Sequence, residues 1–217
     1  MECLRVKSAD HLPPEVPRSE LSDPVEAAAT LLATGDREGA IALLQPYVLQ
    51  QLEAGDLSFR LQVPGVYSSM KAQNWSRRIA ERLVGNLQSL LDRTTEDLRS
   101  AGDDGEKEEH AIRDLALGLL LLAGLESDRL LREGERDCFN RSMREDVWKV
   151  WVHGMTRAPE DPREIHVAMN GEKVHCKVGE DNFFSNGARW PRDTEYLPVE
   201  EVMFCSCGLI YVTEFEW

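Results

Sequence analysis

Glu164-Ile165-His166-Val167-Ala168-Met169-Asn170-Gly171-Glu172-Lys173-Val174-His175-Cys176-Lys177-Val178 is the stretch on which the fold class turns. Apolar and polar residues alternate on both sides of Asn170-Gly171, the pattern of two half-buried strands joined by a two-residue hairpin turn. The first predicted strand carries Ile165, Val167 and Met169 on its inner face. The return strand carries Val174, Cys176 and Val178 there, with Lys173, His175 and Lys177 opposite. Upstream of residues 157–163 the apolar residues instead recur three and four apart, the helical period. The sequence therefore predicts an α+β chain, mainly a bundle of about five to seven helices followed by a small antiparallel β module. The expected organisation is an extended arm or linker over residues 1–21, a helical domain over 22–157, and a β module over 163–217 packed on the helices.

The helical part divides at its punctuation. Asp23-Pro24 with Glu26 is a helix start, Gly35 a stop, and Asp36 a cap for the next helix. Pro46 has no amide proton for a helix interior, so a kink or a new segment is expected there, ending near Gly55-Asp56. Residues 57–70 read as a loop with a short strand at 59–63. A long helix is expected from Asn74 or Trp75 to about Ser100, and another over 106–125, continuing after a break through 127–134. Met143, Val147, Trp148, Val150, Trp151 and Met155 suggest a last helix over 139–155. After the hairpin come a long polar loop over 179–198 and terminal strand segments over 202–207 and 209–217.

One segment carries a family resemblance. Leu31-Leu32-Ala33-Thr34-Gly35-Asp36-Arg37-Glu38-Gly39-Ala40-Ile41, followed by Leu44 and Pro46, resembles part of a tetratricopeptide hairpin. The resemblance covers roughly half to two-thirds of one repeat, with no second copy at the expected period. It implies an antiparallel helix pair serving as scaffold.

Composition narrows the function classes. The chain has 217 residues, 42% of them hydrophobic, enough for a sizeable core. Its formal net charge is −14, a surface that repels phosphate backbones and argues against general nucleic-acid binding. A basic protein partner suits that charge. The start Met1-Glu2-Cys3-Leu4-Arg5 lacks the basic, then apolar, run of a signal peptide, and the apolar run at 115–125 is too short to span a bilayer. With five cysteines and no dense disulfide spacing, a cytoplasmic protein is expected.

Cys205-Ser206-Cys207-Gly208 is the sharpest chemical feature. Two cysteines two apart on a strand face the same way and offer a thiolate pair for zinc. Cys176 is the expected third ligand, and His166 or His153 would have to supply the fourth. Against this, the spacing is one residue short of common zinc motifs, and buried cysteine also behaves as a small hydrophobe. The pattern favours a core role for Cys176, Cys205 and Cys207, with no cofactor, and zinc as the alternative. Glu106, His110 and Asp114 share a helical face that reads as solvated. Phe183, Phe184, Arg189, Trp190, Arg192 and Tyr196, within the polar loop, are the residue types of binding hot spots. Their other reading is a plug under the β module. The expected function is a non-enzymatic interaction protein, an acidic adaptor, inhibitor or immunity-type protein, binding through that loop. The alternative is a metal-binding or cysteine-dependent enzyme centred on the three cysteines.

Overall fold

The computed structural model describes residues 21–67, 73–155, 163–202 and 205–213. Nearly all of the predicted arm at 1–21, and residue 203 beside the cysteine pair, lie outside them. Six helices are described: α1 (Ser22–Ala33), α2 (Arg37–Gln62), α3 (Gln73–Ala101), α4 (Gly105–Ser142), α5 (Glu164–Ala168) and α6 (Val199–Val202). Three strands, β1 (Val147–Val152), β2 (Lys173–His175) and β3 (Gly208–Thr213), form one antiparallel sheet in the order β2-β1-β3. The class is α+β, a helical bundle with a small β module. No helix among the described residues is long and apolar enough to cross a membrane.

Two compact units emerge, with cuts inside α2 and α4 and not at residues 157–163. The described part of the first is 21–50 and 73–127; that of the second is 51–67, 128–155, 163–202 and 205–213.

In the first unit the helices bury the residues their periodicity marks. Val25, Ala28, Ala29 and Leu32 of α1 are buried, and α1 contacts α3, whose Ile79, Ala80, Leu83, Val84 and Leu87 are also buried. Thr34, Gly35 and Asp36 turn the chain between α1 and α2, with Gly35 at φ +85°. Asp36 caps α2 as expected: its Oδ1 accepts the Gly39 N–H at 2.8 Å.

α2 departs from expectation in beginning no new segment at Pro46 and in not ending at Gly55. It runs unbroken past Pro46, which lies exposed inside it, and past Gly55 to Gln62, replacing the predicted loop and strand of 57–63. Gly55 is a point of close approach, not a helix end. A Cβ there would lie 2.0 Å from the Leu131 carbonyl oxygen, and one on Gly134 of α4 would lie 2.2 Å from that of Leu52. The two glycines let the helix backbones touch within the second unit. Beside this crossing sit buried charges. Asp56 accepts from Arg60 and Arg141, both at 2.8 Å, and Glu135 takes Arg132 at 2.8 Å and the Ser58 hydroxyl at 2.7 Å. Phe59, fully buried, packs edge-on against Tyr211 and Phe139 at ring separations of 4.9 and 6.0 Å.

The predicted last helix over 139–155 is also corrected. α4 continues without the expected break but stops at Ser142, whose hydroxyl bonds the Phe139 carbonyl, and Met143 takes φ +53°. Val147-Trp148-Lys149-Val150-Trp151-Val152 is then strand β1. Residues 143, 147, 151 and 155 have helical spacing, yet β-branched and aromatic residues suit a pleated surface better. The predicted hairpin fails for the matching reason. Residues 164–168 form α5, with Ile165 and Val167 exposed and His166 and Met169 buried. Asn170-Gly171 does turn the chain, with Gly171 at φ +83°, but leads from helix to strand. β2 pairs with β1, Lys149 opposite Val174, rather than with 165–169.

The glycine crossing has a measurable cost if filled. Gly55→Ala should destabilise the protein by about 1–3 kcal/mol through overpacking against backbone atoms. Gly85→Ala in α3, where a Cβ meets nothing within 4 Å, should be neutral or stabilise by roughly 0.5–1 kcal/mol. Denaturant titration of both variants checks the pair.

Candidate metal centre

Among the described residues one group of histidine, cysteine and acidic ligand atoms converges: His166, Cys205 and Cys207, all buried, their ligand atoms within 4.8 Å of one another. His166 Nδ1 lies 3.5 Å from Cys205 Sγ and 3.7 Å from Cys207 Sγ. A zinc ion with Zn–S of about 2.3 Å and Zn–N of about 2.0–2.1 Å holds tetrahedral N and S ligands roughly 3.5–3.6 Å apart. The side chains already stand at that spacing.

Each donor is placed by a local reason. His166 is on α5, whose first turn is anchored by the Arg163 carbonyl; that oxygen accepts the His166 and Val167 N–H groups, both at 3.0 Å. The residue is buried because the helical turn reverses the faces an alternating strand would present. Its ring packs edge-on against Trp151 of β1 at 5.5 Å. Cys205 and Cys207 directly precede β3, after α6. The outer ring nitrogen, His166 Nε2, stands 2.8 Å from Glu201 Oε2 on α6, though off the line of a good hydrogen bond. A carboxylate behind a ligating imidazole fixes its tautomer and orientation, so Glu201 has the place of an outer partner. Nothing in the local sequence marked it.

The two thiols differ. Cys205 is pushed up to about 12, first by its hydrogen bond to Cys207 and then by burial. Cys207 is lowered to about 7, first by that hydrogen bond and against the effect of burial. The two shifts run in opposite directions because each thiol sits against the other. The hydrogen bond to Cys205 also raises His166 above the ordinary histidine value.

His153 follows β1, and its Nδ1 lies 3.5 Å from Cys207 Sγ. Cys176, the third ligand expected from the sequence, is outside the group. Its backbone N–H bonds the Val147 carbonyl at 2.9 Å, and burial pushes its thiol up to about 11. The zinc alternative drawn from the sequence grouped Cys176 with Cys205 and Cys207; the converging group holds His166 and leaves Cys176 out. The His110–Asp114 pair is 3.4 Å apart and exposed.

The loop residues separate into two sets. Phe184, Arg189 and Trp190 are buried. Arg189 grips Asp193 with two side-chain hydrogen bonds of 2.9 and 3.0 Å, reaches Glu195 at 2.6 Å, and lies over Trp190 with 4.2 Å to the ring centroid. Buried Lys149 donates to the carbonyls of Asn182 and Arg189, pinning the loop to β1. Arg192, half-buried, meets Asp128 at 2.7 Å. Phe183 and Tyr196 remain exposed and stack edge to face at 5.0 Å. Comparison with protein-family models, curated proteins and solved structures found no match.

Burial separates the two aromatic sets by experiment. Trp190→Ala should cost about 3–5 kcal/mol of stability, as expected for a buried aromatic truncated to a cavity. Phe183→Ala should cost less than about 1 kcal/mol. Thermal or chemical unfolding of the two variants reads the difference.

Proposed function

We propose that this chain is a metal-binding protein whose second unit holds a zinc-class ion on Cys205, Cys207 and His166. The observation that carries the reading is one imidazole nitrogen standing 3.5 and 3.7 Å from two sulfurs. Thiolate with imidazole is a donor set that suits zinc over magnesium or calcium, which take oxygen ligands. The ligands come from α5 and from the segment leading into β3, far apart in sequence. Binding an ion there draws those segments together, so metal affinity appears as stability of the folded state.

Protein purified without chelator, or reconstituted with zinc and desalted, should carry about one zinc per chain by elemental analysis. Cys207→Ser or His166→Ala should lose it, and chelation should lower the Tm of the native chain. Zinc far below one per chain after reconstitution, with a Tm indifferent to chelator, would remove the reading.

A second reading rests on the exposed Phe183–Tyr196 pair. Here the protein is a non-enzymatic interaction protein, and this aromatic pair, braced by Arg189 at 4.6 Å from the Tyr196 ring, is its contact with another protein. The net charge of −14 favours a basic partner, and association should then slow as salt rises. The doubly substituted F183A/Y196A chain should lose that partner while keeping its Tm. Retained binding would move the contact elsewhere.

A further inference from the structure

We propose that His153 is the fourth ligand, so that the centre is a closed Cys2His2 site whose role is structural and not catalytic. The inference rests on the metal reading above and adds to it both the coordination number and the role. His153 Nδ1 stands 3.5 Å from Cys207 Sγ, the separation of two ligands on one tetrahedral zinc, roughly 3.5–3.6 Å; it lies outside the trio whose atoms are all within 4.8 Å of one another, so its ring must turn toward that trio as the ion binds.

The position of His153 is built by the sheet. In the β1–β3 pairing Val152 lies opposite Gly208. The next step of the antiparallel register sets His153 beside Cys207. The His153 N–H donates to Asn170 Oδ1 at 2.9 Å, which ties it to the turn after α5, the helix that carries His166. Gly208 leaves room for the Met155 side chain: a Cβ there would lie 2.1 Å from Met155 Sδ. The turn after β1, with Gly154 at φ +67°, sets Met155 against Gly208, and His153 at its start lies 3.5 Å from the Cys207 sulfur.

Four donors then come from three segments: the end of β1, α5, and the approach to β3. Two thiolates and two neutral imidazoles balance a divalent ion, and a buried site is stable when its charges cancel. Catalytic zinc keeps an open position for water or substrate, whereas structural zinc is enclosed by four protein ligands. The centre is therefore a staple for the β module, and it leaves no coordination position for a reaction.

Cobalt(II) reconstitution of the full chain tests this. The wild-type protein should give the strong visible absorption of tetrahedral S2N2 cobalt, with thiolate-to-metal charge transfer in the near ultraviolet. Added imidazole or thiocyanate should not alter it, because a closed site has no position to offer. His153→Ala should lose visible intensity as water enters. It should also bind on the order of 100-fold more weakly or worse, since even outer-shell changes cost about 10–100-fold. His175→Ala, removing a histidine on β2 outside the group, should leave spectrum and affinity unchanged. A wild-type spectrum that depends on Cys205, Cys207 and His166 but is unmoved by His153→Ala, or that shifts with added imidazole, overturns the closed site and leaves the metal reading standing. Failure of the wild-type chain to bind cobalt or zinc overturns both. The anion measurement on wild-type protein is independent of whether the His153 variant folds.

Discussion

Pairing of β1 with β3 holds the second unit in register. Six positions match, from Val147 opposite Thr213 to Val152 opposite Gly208. A slip of one residue would exchange the faces of β1, taking Lys149 and Trp151 out of the interior and moving His153 away from Cys207. On its other edge β1 receives β2, with Lys149 opposite Val174. The strand therefore fixes three things at once: the rim of the candidate metal centre, the packing of Trp151 against His166, and the amine that pins the polar loop.

That loop shows how a polar sequence becomes interior. Removing Arg189, Lys149 and Asp193 from water is unfavourable unless every charge is met in good geometry. Asp193 is met twice by the Arg189 guanidinium and again by its backbone N–H at 3.0 Å. The Lys149 amine, lowered to about 8 by desolvation, is met by two carbonyls. Arg189 serves as a knot within the loop, and its aromatic neighbours divide into buried Trp190 and exposed Tyr196. The exposed ion pairs on α3 and α4, such as Arg77–Glu81 and Arg113–Glu109, have little bearing on stability because water and salt screen them.

Long amphipathic segments were legible. The stripe Ile79, Leu83 and Leu87 marks the buried side of α3, and the Asp36 cap was readable because both cap and partner lie within one turn. Pro46 and Gly55 misled for a shared reason. Both are local signals against helix, and packing overrode them: Pro46 sits where its helix faces solvent, and Gly55 where another backbone must come close. Helical spacing at 143, 147, 151 and 155 concealed β1, since a short run of large apolar residues fits either period. The alternation at 164–169 concealed α5, and with it the buried side of His166.

What local chemistry along the chain settled is the α+β class, the start of α2 and both ends of α3 to within a turn, and the presence of a Cys-x-Cys pair before the last strand. Those features depend on side chains a few residues apart. Which side chains converge on the two sulfurs depends on partners 39, 41 and 54 residues distant. Whether Cys176 or His166 joins Cys205 and Cys207 follows from strand register, from which strand β2 meets, and from a five-residue helix where alternation suggested a strand. Each is a non-local pairing whose free energy comes from burial and hydrogen bonds across the sheet, so the chain had to be folded before the site could be read.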